Sequence, residues 1–342
     1  MRVATWNIEW FTNLFDRNGH LLEDGEWSAR YSVTRAEQIG AIGIVLSALQ
    51  ADVLLIVEAP DDNRRHKTVA MLEEFAAKFE LRQRKALIGF SNETQQEVAL
   101  LYDPDVVRAR HDPGQSEAWP RFDGVLKIDL DIDAQMDTVT FSKPPLEVRL
   151  EAIAGRVIHL IGVHIKSKGP HGVTSREAAI RIGIENRRKQ LAQSIWLRGR
   201  IEEHLRAGDS LVVLGDFNDG PGLDEYEKLF GRSGVEIVAG EGGPEAWRLH
   251  DPHARLSAAH QTSAAPSSAR FYLVEQKQYF SAMLDFVMLS PDLVAQASAW
   301  RIWHPFDDPA IYRVPELREA LLQASDHFPV SVDLQFGPVE EA

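Results

Sequence analysis

Two short runs, "DVLLIVEA" at residues 52–59 and "LVVLGDFN" at 211–218, constrain this chain more than any other feature. Val53 to Val57 and Leu211 to Leu214 are apolar at every position, with no alternation. Successive side chains of a strand point to opposite faces, so a strand of this kind must be covered on both. That requires a layered α/β protein, with helices or a second sheet shielding each face. Both runs then end in polar residues: Glu58 after the first, and Asp216, Asn218 and Asp219 after the second. Turn chemistry explains any one of these alone, because Asn and Asp accept left-handed backbone and bond their own main chain. It stops sufficing if other strands deliver similar groups to the same end of a sheet.

The rest of the chain supplies such strands. "RVATWNI" opens with strand alternation, and a helix follows at "TRAEQIGAIGIVLSALQ", with a capping box at Thr34 and Glu37 and Ile39, Ile42, Leu46 and Leu49 on one face. A second helix is expected over Arg65 to Phe79, then strands at "KALIGF" and "VALLYDP". Residues 105–137 read as irregular and acidic. "PLEVRLEAI" and "RVIHLIGVHI" read as a hairpin turning at Ala154 and Gly155. A long basic helix follows, capped at Thr174 and Glu177 and ending at Gly208, with a short helix near Leu223 to Phe230 after the next strand. Residues 240–268, rich in Gly, Ser, Ala and Pro, read as a surface insertion, because strand patterns resume at "AMLDFVMLS" and "PVSVDLQF". With no repeat and no break, residues 1–342 read as one α/β domain with insertions near 105–137 and 240–268.

Composition narrows the chemistry. The absence of cysteine removes disulfides, thiolate zinc sites and cysteine nucleophiles, so any metal must be held by oxygen or imidazole. A formal net charge of -14 disfavours nonspecific adhesion to polyanions, although a metal or a local basic rim can invert the field at a site. No window approaches the ~18 apolar residues of a membrane helix, and "MRVATWNIEW" lacks the apolar core of a signal peptide, so a cytoplasmic location and no membrane contact are expected.

Polar residues recur at strand ends: Asn7 and Glu9 in "TWNIEW", Glu58 in "VEAP", His164 in "VHIKSK", Asp216 and Asn218 in "GDFND", Asp285 in "MLDFVML", and Asp326 and His327 in "SDHFPV". Strand ends of an α/β sheet share a rim where sites are built, so these residues can converge across most of the chain. Asp285 stands inside an apolar strand, where an unpaired carboxylate would cost several kcal/mol, on the order of transfer values. It requires a partner, and His327 is the natural one. Hard oxygen donors without thiolates point to Mg²⁺ or Mn²⁺. Two histidines beside such a metal suit phosphoryl chemistry. No P-loop, nucleophile elbow or HExxH sequence competes.

The segments "TWNIE", "VEAP", "KPPLEV", "VHIKSK", "GDFND", "LDFVMLS" and "SDHFPV", in that order and spacing, resemble the endonuclease/exonuclease/phosphatase superfamily, which includes pancreatic-type deoxyribonucleases, abasic-site endonucleases, sphingomyelinases and inositol polyphosphate phosphatases. The resemblance implies a four-layered α/β sandwich of two packed mixed β-sheets flanked by helices. It also implies that Glu58 is the principal Mg²⁺ ligand, with Asn7 and Glu9 beside it and Asp326 completing the shell. Asp216 and Asn218 would orient water and contact phosphate, and His164 and His327, the latter held by Asp285, would bracket it. Lys143 stands where the family often has arginine, and with Lys166 is a candidate phosphate contact. The acid that steadies the first histidine in some relatives falls on Glu97 or Gln96, with Glu97 favoured by its charge.

These readings predict a monomeric, metal-dependent phosphoester hydrolase. A nuclease is the first choice, since Lys166, Lys168, His171 and Arg176 follow a site histidine and could track a nucleic-acid backbone. Trp10 and Phe11 are candidates for base stacking or for the core. The alternative is a phosphatase or phosphodiesterase acting on a small molecule or lipid headgroup, for which no exposed apolar hairpin is expected. A catalytically silent binding module is a third reading.

Overall fold

The structure is a computed structural model that describes residues 1–91, 96–130, 136–152, 155–169, 175–222, 231–259, 265–273 and 277–336. In chain order, β1 (Arg2–Asn7), α1 (Arg35–Leu49), β2 (Val53–Ala59), α2 (Thr68–Lys78), β3 (Lys85–Ile88) and β4 (Glu97–Tyr102) precede β5 (Val107–His111). An antiparallel pair, β6 (Leu126–Asp129) and β7 (Met136–Val139), comes next, then β8 (Leu146–Ala152) and β9 (Val157–His164). The long α3 (Arg176–Ala207) leads into β10 (Leu211–Asp216), α4 (Gly234–Ala239) and α5 (Pro252–Ala259). A ribbon of β11 (Ala269–Leu273) and β12 (Gln278–Ala282) is followed by β13 (Asp285–Leu289), α6 (Pro291–Val294), β14 (Ala297–Ile302), α7 (Pro309–Tyr312), α8 (Pro315–Ala324) and β15 (Val330–Leu334).

Six strands form one sheet in the order β14-β15-β1-β2-β4-β3, and five form another in the order β13-β10-β9-β8-β5. Within each, one central pair is parallel, β1 with β2 and β9 with β10, and the flanking pairs are antiparallel. The unbroken apolar runs divide their side chains between two layers, as expected. Val53, Leu55 and Val57 meet Leu160, Val212, Leu214 and Val287 in a core between the sheets. Leu54 and Ile56 turn the other way, onto Ile39, Ile42 and Leu46 of α1 and Leu321 of α8. Leu211 and Val213 pack outward on Trp196, Leu197 and Ile201 of α3. Helices, sheet, sheet and helices make four layers, and each fully buried aliphatic side chain contributes roughly 1.5–3 kcal/mol. The sheets approach closely at Gly162, where an added Cβ would sit 2.2 Å from Leu55 Cδ1. Alanine there requires the Leu55 side chain to shift.

The capping box of α1 is present, with Glu37 N donating to Thr34 Oγ1 and Thr34 N to Glu37 Oε2. Other expectations need correction. Residues 105–137 are not irregular throughout: β5 is an edge strand of the five-stranded sheet, hard to read because Arg108 and Arg110 alternate with half-buried neighbours. The second helix begins at Thr68, since Asn63 closes a turn onto Arg65 and His66. Residues 240–268 contain α5, and Asp251 in this stretch is buried, accepting hydrogen bonds from the backbone of His253, Ala254 and Val287. The α3 N-cap is Ser175; Thr174, Ala154 and the helix expected near Leu223 to Phe230 lie outside the described residues.

Candidate active site

The two parallel strand pairs run the same way, so the carboxyl ends of β1, β2, β9 and β10 open at one edge of the sandwich. Asn7 ends β1 beside Val57, while His164 and Asp285 flank Asp216 in register across the end of β10. Two backbone irregularities aim the side chains. Glu58 lies at a bulge where β2 slips against β4 and has a left-handed φ of 60°, which turns it out of the strand alternation. Gly215, just before Asp216, has φ of 137°, and a Cβ on it would meet Val163 O at 2.1 Å, so only glycine fits. The segment Ser325 to His327 is tied to the end of β1: Ser325 Oγ donates to Asn7 O at 2.7 Å, and Trp6 Nε1 to His327 O at 2.9 Å.

Two polar groups result, joined at Asp216. Lys143 Nζ donates to Gln96 Oε1 at 2.8 Å and lies 3.3 Å from His164 Nδ1, and Gln96 Nε2 donates to Glu58 Oε2 at 2.5 Å. His164 Nε2 is 3.7 Å from Asp216 Oδ2, which accepts from Asn7 Nδ2 at 3.0 Å. On the other side, His327 Nδ1 lies 2.7 Å from Asp285 Oδ2, which also accepts from Ser268 Oγ at 2.8 Å. Asp216, Asp285 and His327 bring their ligating atoms within 4.8 Å of one another, all buried. Asn218, at φ 49°, donates its backbone N–H to Asp216 Oδ1 at 2.8 Å.

This crowding sets the charges. Burial pushes the Asp216 carboxyl up to about 7, with the His327 charge pulling it back and Asp285 adding to the rise. His327 is opposed by burial but carried well above the usual imidazole range by the charge and hydrogen bond of Asp285, so it is cationic at neutral pH. His164 goes the other way: burial, with Lys143 and His327 nearby, holds it well below that range and neutral. Burial raises Glu58 and lowers Lys143, each partly offset by the other. The two histidines are therefore shifted in opposite directions, His327 up by the carboxylates of Asp285, Asp216 and Asp326, and His164 down by burial and by the charges of Lys143, His327 and Lys166.

Every described candidate reaches this edge, though not all as expected. Asn7, Glu9, Glu58, Lys143, His164, Lys166, Asp216, Asn218, Asp326 and His327 line one cavity of about 1330 Å³. Asp285 stands directly behind His327. Glu9 is engaged by Arg30, a half-buried arginine in the loop before α1 that sequence reading missed. Glu97 is buried and its charge acts on Lys143, which lies 3.3 Å from His164 Nδ1. Gln96, passed over on charge, bridges Lys143 and Glu58. Phe11 is fully buried in the core and cannot stack on a ligand; Trp10 is exposed and lines the cavity. Arg176 is exposed on the first turn of α3, and His171 lies outside the described residues.

The expectation of no exposed apolar hairpin is overturned by the β11–β12 ribbon. Phe271, Leu273 and Phe280 form an apolar wall of the cavity, while Tyr272 and Tyr279 pair on the other face with ring centroids 5.2 Å apart. Arg270 stacks on Tyr279 at 4.2 Å and on Phe306 at 4.9 Å. The ribbon is fixed to the site, because Arg270 N donates to Asp326 O and Phe328 N to Ser268 O. Its polar, aromatic-rich sequence lacks the unbroken apolar run by which the core strands were recognised.

The sequence profile of the Endonuclease/Exonuclease/phosphatase family matches residues 4–327, and so includes every strand end described above. The chain belongs to that family. Its members hydrolyse phosphoester bonds, and the four-layered arrangement agrees with solved structures of similar proteins. Among these are truncated TDP2 from Caenorhabditis elegans, 15% identical, covering 98% of this chain and 97% of that one with a TM-score of 0.51. The AP endonuclease from Archaeoglobus fulgidus is 11% identical over 98% of this chain and all of that one, also at 0.51. A 3'-5' exonuclease, NExo, from Neisseria meningitidis is 14% identical over the same shares, at 0.50. At such identities the likeness extends to the fold alone. No curated protein sequence matches. Among the described residues no helix is long and apolar enough to cross a membrane.

The donor set fits a hard divalent cation. Asn7 Oδ1 is buried with no hydrogen-bond partner among the described residues, and it shares the cavity with the Glu58 and Asp326 carboxylates. An orphaned buried carbonyl beside two carboxylates is what an oxygen-preferring ion would satisfy.

Proposed function

We propose that this chain is a Mg²⁺- or Mn²⁺-dependent phosphodiesterase that cleaves nucleic acid by in-line attack of water. The observation that carries the reading is the convergence of Asn7, Glu58, His164, Asp216, Asn218 and His327, from the ends of different strands, on one cavity, with Asp285 behind His327. Glu58, Asn7 and Asp326 would hold the cation, which supplies charge neutralisation at the phosphate when bound. Glu9, bound by Arg30, would act from behind this set. Asp216, with a raised proton affinity and two amides orienting its oxygens, accepts the proton of the attacking water. The His327 cation, held by Asp285, stabilises charge developing on the phosphate. Neutral His164, Lys143 and the Asn218 amide bind the remaining phosphate oxygens, and Lys166 tracks the backbone beyond.

Nucleic acid is favoured by the aromatic ribbon beside this phosphate-sized polar floor, since bases stack on aromatic faces irrespective of sequence. The same exposed ribbon is the one feature that favours the alternative, a lipid-headgroup phosphodiester, because tyrosines suit a water–lipid boundary. The test is a panel of plasmid, single-stranded DNA, RNA, inositol phosphates and phospholipid vesicles, with Mg²⁺ or Mn²⁺ and with EDTA. Cleavage of nucleic acid that EDTA abolishes is expected. Hydrolysis confined to monoesters or vesicles overturns the substrate reading, and activity in EDTA overturns the metal.

A further inference from the structure

We propose that the chain carries a second metal site, of the zinc type, formed by His159, His204 and Asp209 at the edge of the five-stranded sheet opposite the candidate active site. His159 stands near the start of β9 and His164 at its end. Five residues at ~3.3 Å each separate the two histidines by roughly 17 Å, so the sites are independent.

The three side chains meet because the α3–β10 turn folds back on β9. His204 lies in the last turn of α3, which Gly208 closes with φ of 77°. Asp209 N donates to His204 O at 3.0 Å, and His159 N to Ser210 O at 2.8 Å, which fixes the backbone on all three sides. His159 shares the strand face of Ile161 and Val163, which packs toward α3. The ligating atoms lie within 4.8 Å of one another. His204 Nδ1 is 2.8 Å from Asp209 Oδ2 and His159 Nε2 is 3.9 Å from Asp209 Oδ1, so one carboxylate reaches both imidazoles. The rings are 4.8 Å apart.

This donor set differs in kind from the oxygen-rich one at the active site. Two imidazoles and a carboxylate suit Zn²⁺, with a fourth position open to water, and suit Mg²⁺ poorly. Side-chain exposures of 16%, 18% and 32% leave the group open to an ion while each residue stays anchored. Of the nearby charges, Arg149 is tied to Glu151 at 3.1 Å, and Asp112 adds negative field. A site of this kind would staple the end of α3 to the start of β9.

The competing explanation is an ordinary His204–Asp209 pair at a helix end, in which His159 has no part. Zinc titration of the full chain in excess Mg²⁺, followed by melting midpoint and equilibrium dialysis, separates the two. Wild type is expected to bind zinc and melt higher with it, and Asp216→Asn is expected to respond alike. His159→Gln, which leaves the His204–Asp209 pair intact, is expected to weaken zinc binding at least about tenfold, as are His204→Gln and Asp209→Asn. If His204→Gln fails to fold, the other two variants carry the test. No zinc binding in wild type, undiminished binding in His159→Gln, or loss of binding in Asp216→Asn overturns the proposal.

Discussion

At the end of the six-stranded sheet where β1 begins, each acid meets an arginine. Arg2 donates to both oxygens of Asp333 at 2.7 and 2.9 Å, and Arg82 reaches Asp52 at 2.8 Å and Asp103 at 3.0 Å. At the other end, where β1 stops, Glu58, Asp216 and Asp285 meet amides, a hydroxyl and imidazoles. The first arrangement holds Asp333 below the usual carboxylate range; the second raises Glu58 and brings Asp216 up to about 7. The same residue types therefore do opposite things at opposite ends. Acids paired with arginine at the half-exposed end fasten strands, while at the other end burial outweighs the nearby Lys143 and His327 and leaves Glu58 and Asp216 with a raised affinity for a cation or a proton.

The largest expected effect tests that division directly. Asp216→Asn should lower phosphodiesterase turnover by at least about 10², with a melting midpoint close to wild type, because removing a buried carboxylate offsets the acceptor lost to the Asn7 and Asn218 donors. Turnover and thermal melts on one preparation check it, and a large loss of stability with intact turnover would erase the contrast. Phe280→Ala, on the ribbon beside the site, should raise KM for single-stranded nucleic acid by the equivalent of about 1–3 kcal/mol, the worth of one stacked base. Its kcat should hold, and steady-state kinetics on a short oligonucleotide would read the split. At the arginine-rich end, Arg2→Ala should cost about 1–2 kcal/mol of folding stability, reduced from a fully buried value because the pair is one-third exposed. Activity per folded molecule should not change, as denaturant unfolding alongside active-site titration would establish.

A further effect concerns an acid that belongs to neither end. Glu147 is buried beside Arg200, and burial outweighs that arginine, raising its carboxyl to about 7. Between the ordinary 4.5 and about 7 the unfolded chain releases a proton that the folded chain keeps, so stability should fall as pH rises across that window and level off above it. Glu147→Gln should make this slope shallower, leaving the part contributed by the raised carboxyls of Asp216 and Asp251. It should leave the fold in place, because Arg200 retains the carbonyls of Gly114, Trp119 and Pro120 and the carboxylate of Glu203. Denaturant midpoints measured from pH 4 to pH 8 test both statements.

The layered fold was legible because burial on two faces leaves an unambiguous mark: Val53 to Val57 and Leu211 to Leu214 could be nothing but interior strands. The site was legible because its residues stand where those runs stop. What escaped lies where burial is one-sided or where a contact depends on a bend. β5 and the ribbon β11–β12 are partly exposed, so polar and aromatic residues interrupt their pattern. Charge favours Glu97 over Gln96, yet a left-handed φ of 72° presents the Gln96 amide to Lys143 and Glu58. Arg30 reaches Glu9 from a loop whose path no periodicity records, and Ser268, which holds Asp285, is the last residue of a segment read as an insertion.

The bulge at Glu58 places an acid where the backbone would be more relaxed with glycine or asparagine. Left-handed backbone at such a residue costs on the order of 1 kcal/mol or more, and the buried carboxylate adds to that cost. A library of variants sorted for heat resistance alone should therefore drift away from glutamate at position 58, while one sorted for turnover should return to it. Run in parallel, the two selections would disagree most sharply at this residue, so position 58 can be located by directed evolution without reference to any structure.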